Sequence, residues 1–370
     1  MRRSFVHVAS FVLPLGLAAC GGGIPASLPA VAAPLGDVRM QSVAVAQAPE
    51  ANAIVASARH LYVGNAGTNA LTIYALDASG DAAPVRTIGG RSTGITCLRQ
   101  AAVDAQGYVY VANLTASAQP FGTCGPNGGG EILVFAPDAN GDAAPVRTIG
   151  GPATGIANAS AVAVASDGAV YVGSFAVAGG AGNSTLLRFA PGASGDVAPE
   201  ASIALAAGIV DGLTLDPYLG LVASAQPGSA STVTERIAYY KRDLSSGVTA
   251  ISYDDPGPLA SDPATHTFLG VGTLYGPRID RFADGTTGSY APAGSATGPT
   301  LNPGLTATLA AGACPAGVAV GPARIVYVAS GCTNAIVAFG PNARGHAAPL
   351  RTIAGPDTGL AAPKYVFAGP

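Results

Sequence analysis

The residues able to carry chemistry are few, and most stand at positions that recur along the chain. Asp138-Ala-Asn140-Gly-Asp142 and Asp77-Ala-Ser79-Gly-Asp81 imitate the opening of a calcium loop, in which alternating oxygen ligands surround a hard cation. Glycine falls at their fourth position rather than the sixth, and Ile149 or Ile88 stands where a closing glutamate belongs. Both therefore read as hairpin turns. Asp357-Thr358-Gly359 spells a triplet that in proteases works only as two carboxylates sharing a proton. Its counterparts are Ser92-Thr93-Gly94 and Ala153-Thr154-Gly155, so Thr-Gly is the constant part and the aspartate is incidental. No G-x-S-x-G, HExxH or phosphate-cradling loop occurs. Of four histidines, His7 lies in a leader and His60 and His346 fall at turns, leaving His266 as the one that could face a cleft. Asn65 and Asn113, matched by Ser174 and Ser330, close a recurring strand and read as partners for local turns.

The elements that must position these residues are repeats. Glu131 to Gly155, EILVFAPDANGDAAPVRTIGGPATG, recurs as LTIYALDASGDAAPVRTIGGRSTG from Leu71 and as AIVAFGPNARGHAAPLRTIAGPDTG from Ala335. A decayed copy runs from Thr185 to Leu205. Upstream of each lies a second strand: LYVGN, VYVAN, VYVGS and IVYVAS, with weaker versions LVASA and FLGVG. That makes six units of four short strands, spaced 50 to 61 residues apart between the equivalent prolines Pro84, Pro145, Pro199 and Pro349. Such a period and strand count predict an all-β chain, a β-propeller of four-stranded blades, with six blades and seven as the alternative. The inner runs expected are Val162–Val164, Leu213–Leu215 and Val318–Val320, with Ala53–Ser57 in the first unit and the tail, around Val366, helping to close the ring. On the outermost strand, Pro84, Pro145 and Pro349, followed by Arg86, Arg147 and Arg351, read as devices that protect an exposed edge.

Composition agrees and excludes other classes. Hydrophobic residues make up 49% and charged residues 11% of 370, with 51 glycines, 29 prolines and no tryptophan, which suits short strands and turns. The start, MRRSFVHVASFVLPLGLAAC, is a secretory leader, too short and wrongly flanked to span a membrane. Without Arg2 and Arg3 the balance is 16 basic against 21 acidic residues, so no nucleic-acid footprint exists. Leu17-Ala18-Ala19-Cys20 resembles a bacterial lipobox, which implies lipidation of Cys20. Gly21 at the following position implies, by the same resemblance, an outer-membrane lipoprotein with its domain facing the periplasm or the cell surface. Two or three acyl chains hold such a protein firmly, at roughly 0.8 kcal/mol per buried methylene. The expected organisation is a signal peptide over 1–20, a Gly/Pro/Ala-rich tether over 21–50 and a propeller over 51–370.

The recurring YVAN, I-x-VF and P-x-x-TI-x-G pieces resemble bacterial NHL-like propellers from about Ala53 to Pro370, least in units four and five. In a propeller the loop entering a blade and the loop after its second strand share a face. Cys97 and Cys124 occupy those two loops in unit two, and Cys314 and Cys332 in unit six. The expected disulfides are therefore Cys97–Cys124 and Cys314–Cys332, the alternative being free thiols or a metal site, for which neither CxxC nor CxH spacing exists. A more distant resemblance, to gluconolactonase-like propellers, implies an axial divalent metal held by Glu, Asn and Asp. Glu50, Asn158 and Asp211 fall near the corresponding positions, a set suited to Ca²⁺ and to a metal-dependent lactonase-like hydrolase. The leading expectation needs no cofactor: a non-enzymatic, monomeric binding or scaffold module for an envelope protein or glycan. Its binding surface is expected where the repeat breaks down in units four and five, at Tyr239, Tyr240, Lys241, Arg242, Tyr253, Asp254, Asp255, Tyr275 and Tyr290.

Overall fold

Six antiparallel sheets follow one another along the chain. The computed structural model describes residues 58–115, 129–178, 181–205, 209–226, 235–253, 257–272, 277–284, 288–289, 305–308 and 313–370. Blade 2 shows the plan: Leu98–Val103 innermost, then Val109–Leu114, Gly130–Phe135 and, outermost, Arg147–Ile149. Blades 3 to 6 repeat it, with inner strands Ala159–Val164, Ile209–Asp216, Ala260–Asp262 and Pro315–Val320. The chain is an all-β, six-bladed propeller.

Ring closure differs in one respect from the expectation. The inner strand of blade 1 is Pro363–Gly369, paired antiparallel with His60–Asn65. The last strand therefore takes the whole position assigned above to Ala53–Ser57, which lies outside the described residues. Its alternating Tyr365 and Phe367 face blade 2, and Phe367 stacks at 5.1 Å on Tyr62, its cross-strand partner in blade 1. Val366 faces blade 6. A strand with apolar residues on both faces fits this slot because both of its faces meet other blades.

Six apolar clusters fill the six gaps between blades. Between blades 1 and 2, for example, Leu71, Ile73 and Ile88 meet Val103, Val111 and Phe135. Strand alternation produces this directly, since successive side chains turn to opposite blade faces and every face is covered. The gap between blades 4 and 5 is filled differently, by Phe268 and Phe282 stacked at 5.3 Å, with Leu259, Val222 and Ile237 around them.

The outer strands of blades 6, 1 and 2 are not free edges. The turn glycine of one blade forms a parallel bridge to the outer strand of the blade before it: Gly80 to Ile353, Gly141 to Ile88 and Gly195 to Ile149. At the second of these, the Gly141 N–H donates to Thr87 O at 2.5 Å and Gly89 N–H to Gly141 O at 3.0 Å. Arg147, read from sequence as an edge charge, instead lies half-buried beneath the next blade. Its Nη2 donates to the Tyr110 hydroxyl at 3.0 Å and its guanidinium stands 5.7 Å from the Tyr110 ring. Arg351 reaches the Tyr327 hydroxyl at 3.2 Å in the same way.

Candidate functional site

Most of the chemistry-bearing residues of the repeat are consumed by these junctions. The calcium-like turns put Asp142 against the preceding blade, where its Oδ1 accepts from Ser92 N–H at 2.5 Å and its Oδ2 from the Ser92 hydroxyl at 3.0 Å. Asp196 accepts from Ala153 N–H at 2.6 Å, and Asp81 from Asp357 N–H at 2.8 Å. Each is a carboxylate capping the short 3₁₀ turn of its neighbour. Close approach is what the second glycine of the TIGG motif permits. Gly151 sits at φ 128°, and a Cβ there would lie 2.5 Å from Asp196 Cγ.

Thr154 and its equivalents close the same turns. Its hydroxyl donates to Gly151 O at 2.6 Å and accepts from Ile156 N–H at 3.1 Å. Asp357 has no part in such a bond beyond its backbone. Asn113, fully buried, accepts from Thr96 N–H and Cys97 N–H, both at 3.0 Å, and so fixes the loop that enters blade 2. Asn65 and Ser174 tie the loops entering blades 1 and 3 in the same manner. These side chains are structural, and the loops they tie are those entering their own blade.

Two places hold polar groups that the repeat does not use. The first is the mouth of the axial channel, on the face where the inner strands begin. In five blades the inner strand carries a register shift close to its start, which leaves one extra residue: Lys364, Arg99, Ser160, Asp211 and Ala316 in blades 1, 2, 3, 4 and 6. A bulge of this kind re-aims a side chain away from the regular alternation. Ser160 turns back on its own blade, donating to Gly173 O at 3.1 Å. The others converge. Arg99 Nη2 stands 3.9 Å from Asp211 Oδ1, across the width of blade 3. That distance is an ion pair but too long for a hydrogen bond. Arg99 Nε is buried with no hydrogen-bond partner. The Lys364 ammonium lies 5.6 Å from the Tyr365 ring centre. Asp211, Lys364, Tyr365, Pro258, Pro315 and Ala316 line a cavity of about 180 Å³. Burial pushes the Tyr365 hydroxyl pKa up, with Arg99 opposing and Asp211 adding to the rise, so the phenol stays protonated at neutral pH.

Below the mouth, Gln100 crosses from blade 2 to two other blades. Its Oε1 accepts from Val162 N–H at 3.1 Å and Leu213 N–H at 3.2 Å, while its Nε2 donates to Leu213 O at 3.1 Å. Inner strands expose one row of backbone groups to the axis, and this amide satisfies part of it. Beyond lies a channel of about 200 Å³ lined mainly by alanine, valine and leucine, with Arg242 and Ser166 also on its wall.

The second place is on the opposite face, between blades 4 and 5. Asp216 is fully buried and accepts from Ser261 Oγ at 2.5 Å and from Tyr218 and Leu219 N–H at 2.8 and 2.9 Å. Asp262 is held by Arg281 and by Arg324 at 3.0 Å. Burial acts to raise the Asp262 pKa, but the two guanidiniums outweigh it and hold the group below its usual value. Asp284 has no such help: both carboxyl oxygens are buried without a hydrogen-bond partner, and burial, then the charges of Asp216 and Asp262, push its pKa up to about 7. His266 Nδ1 stands 3.7 Å from Asp284 Oδ2, and its ring packs on Tyr218 at 3.8 Å. Among the described residues no hydroxyl or thiol hydrogen-bonds to the His266 ring.

The sequence-predicted sites fall unevenly on this geometry. Cys314 and Cys332 form a disulfide with Cα atoms 5.3 Å apart, in the predicted pair of loops. Cys97 is buried and disulfide-bonded, while Cys124, its expected partner, lies outside the described residues. Cys20, Glu50, Asp254, Asp255, Tyr275 and Tyr290 also lie outside them, and Tyr253 is described only as the last residue of the outer strand of blade 4. Asn158 donates its amide to Phe175 O at 2.8 Å within its own blade, and Asp211 stands beside a guanidinium. Glu50, the third member of the expected set, lies outside the described residues, and among those described no group of three His, Cys, Asp or Glu could hold a metal. Tyr239 is half-buried and edge-on to Phe268 at 5.9 Å, and Tyr240 is 9% exposed among the residues between blades 3 and 4. Of that stretch Lys241 is exposed, and Arg242 lines the channel.

Comparison with known proteins finds similarity in structure alone, at low identity. No protein family's sequence profile matches the chain, and no curated protein is similar to it in sequence. Among solved structures, a protein of unknown function from Bacteroides caccae is similar over 85% of this chain and 99% of its own, at 11% identity and TM-score 0.49. A luciferin-regenerating enzyme matches over 70% of this chain and 77% of its own, at 13% identity and TM-score 0.46. A chain of a mitotic checkpoint complex matches over 74% and 68%, at 12% identity and TM-score 0.43. The class of protein defined by the strand topology is the six-bladed propeller, an architecture suited to a binding or scaffold module.

Proposed function

We propose that this protein is an outer-membrane lipoprotein of NHL-like type, anchored through Cys20, whose propeller is a non-enzymatic binding module of the cell envelope. The observation that carries the binding role is the axial mouth, where four of the six blades contribute Asp211, Lys364, Pro258 and Ala316 to one cavity, with Arg99 standing 3.9 Å from Asp211. Elsewhere the motif residues are spent on blade junctions. Recognition by fixed charges around a preformed hollow requires no reaction. The leader and Cys20 support the anchor, and a Cys97–Cys124 disulfide would join Cys314–Cys332 in stiffening the same face.

Two measurements test this reading. Labelled palmitate should enter the wild-type chain and not Cys20→Ser; equal labelling of both removes the anchor. In a thermal-shift screen against periplasmic metabolites, glycans and envelope proteins, a stabilising hit should be lost in the Arg99→Ala/Lys364→Ala double variant. A hit kept at full strength by that variant would move the binding site away from the mouth.

A further inference from the structure

Among the described residues, the outer strands of blades 6, 1, 2 and 4 each carry a cover on their outer edge, and in every case the cover is backbone. In the first three it is the turn glycine of the following blade. Gly80 N–H donates to Thr352 O at 2.7 Å and Ala354 N–H to Gly80 O at 2.9 Å. Gly141 makes the same two bonds with Thr87 and Gly89, and Gly195 with Thr148 and Gly150, at 2.5 to 3.2 Å. Blade 4 is covered by Gly288–Ser289, whose Gly288 lies opposite Ile251. All four covers run parallel to the edge and place a glycine at the bridge.

Blade 3 has the edge without the cover. Its outer strand, Ala201–Ala204, pairs inward with Thr185, Leu186, Leu187 and Arg188. Ser202 and Ala204 take the positions of Thr148 and Gly150 in blade 2, so the Ser202 carbonyl and the Ala204 N–H face outward, and both residues are exposed. Among the described residues neither group has a hydrogen-bond partner. The reason lies in the next blade. In blade 2 the third and fourth strands are joined by 136–146, which holds the covering Gly141 turn. In blade 4 they are joined by 241–246, a tight hairpin with no glycine. Its Leu244 joins the apolar residues between blades 3 and 4, but only as a side chain. Ala201 also stands where the covered strands carry Arg86, Arg147 and Arg351, so the strand itself is uncharged. An exposed, uncharged edge is a template for pairing with another chain.

We propose that the outer edge of blade 3 is a docking site for an extended, glycine-containing segment of another polypeptide, running parallel to Ala201–Ala204 where a turn of the next blade runs elsewhere in the ring. Main-chain hydrogen bonds recognise the partner: its glycine N–H donates to the Ser202 carbonyl, and the Ala204 N–H donates to that glycine's carbonyl. Glycine is needed for the reason it is needed at Gly80, Gly141 and Gly195, whose backbones lie at φ 66°, 65° and 72°. This site belongs to the rim of the ring and is independent of the mouth, so either can fail alone.

Amide exchange followed by NMR reads the edge residue by residue. In the free protein the Ala204 N–H should exchange at least about tenfold faster than the covered Gly150 and Ala354 N–H groups. Equal protection would mean an edge already covered, and would overturn the proposal. A synthetic peptide of residues 138–148, which carries the Gly141 turn, should slow Ala204 exchange about tenfold at roughly ten times its Kd. The same peptide N-methylated at Gly141 lacks the donor for Ser202 and should leave the rate unchanged. No slowing by the first peptide, or equal slowing by both, overturns the proposal. Ala204→Pro removes an N–H that makes no bond within the sheet, and should abolish peptide binding with the unfolding midpoint unchanged. Should that variant unfold, the N-methylated peptide still decides. A dimer in analytical ultracentrifugation that Ala204→Pro disperses would put a second copy on the edge and overturn the assigned partner.

Discussion

Asp284 is the residue whose environment departs furthest from what its type prefers. Its carboxyl is buried, has no hydrogen-bond donor and titrates near 7. Between about pH 4 and 7 the folded state therefore holds a proton that the unfolded chain has released, so stability falls as pH rises through that window and levels off above it. Each tenfold change in proton affinity corresponds to about 1.4 kcal/mol, and partial solvation reduces the sum to roughly 1–3 kcal/mol. Asp284→Asn should flatten this slope, seen as a smaller difference between urea midpoints at pH 5 and pH 8, with His266→Gln as a control for the neighbouring ring. A slope unchanged by Asp284→Asn would assign it to another group. At the staples, Asp142→Ala should cost about 1 kcal/mol, as other lost caps do, because it frees the Ser92 N–H. Gly151→Ala should cost more, about 2 kcal/mol, because backbone at φ 128° and the Asp196 contact both oppose a Cβ. Denaturant titration orders the two.

These roles are only half legible in the sequence. A repeat written along a chain shows which residues recur, and it marks Asp142 as part of a turn and Thr154-Gly155 as structural. It does not show which copy each one touches. The aspartate caps a neighbour some 50 residues away, as Asp142 does Ser92, and nothing local in its own hairpin demands it. Arg147 misleads for the same reason: the edge that its charge suggests is exposed is covered by the next blade. The mouth does leave a trace. In the alignment of inner strands, the column just before the apolar run holds Lys364, Arg99, Ser160, Asp211 and Ala316, so opposite charges occupy one register. Charge at a position that varies in sign from copy to copy is a sign of a site rather than of a scaffold.

At the scale of elements, the blades divide into two groups. Turn-to-outer-strand bridges and carboxylate caps join blades 6, 1, 2 and 3. Among the described residues, blades 4 and 5 have neither. Their junction relies on stacked phenylalanines and on a polar network through Asp216, Asp262, Arg281 and Arg324. Blade 4 also takes a short parallel strand, Gly288–Ser289, from the chain of blade 5. The sequence shows the loss of motif there and suggests a binding surface. In the structure the bulkier Tyr239 and Tyr240 fill interblade space, because a blade without the staples needs larger side chains to close its gaps. The disulfide of blade 6 spans 18 residues, and the loop-entropy relation gives about 3 kcal/mol for a closure of that length. Cys314→Ser should lower stability by about that amount, and a reducing agent should have no further effect at this site. Peptide mapping without reduction should recover Cys97 joined to Cys124.

At the scale of the whole molecule, the ring is held by one strand that comes late in the chain. Truncation after Ala362 removes the inner strand of blade 1 and uncovers Tyr62, Leu61 and Val63. The shortened protein is expected to lose cooperative unfolding altogether rather than a fraction of its stability, which a broadened or absent calorimetric transition would show. The sequence announces the ring but leaves its closure open, because both Ala53–Ser57 and the tail match the inner-strand pattern and pattern alone cannot choose between two equal candidates.

That closure also governs timing. His60–Asn65 is made early and waits with its inner edge bare until Pro363–Gly369 arrives, some 300 residues later in synthesis. No shorter product can finish the circle. The native state is thus a built-in check on completeness: a chain interrupted anywhere before its final strand keeps an unpaired β edge, visible to proteases, while a finished chain has none at that position.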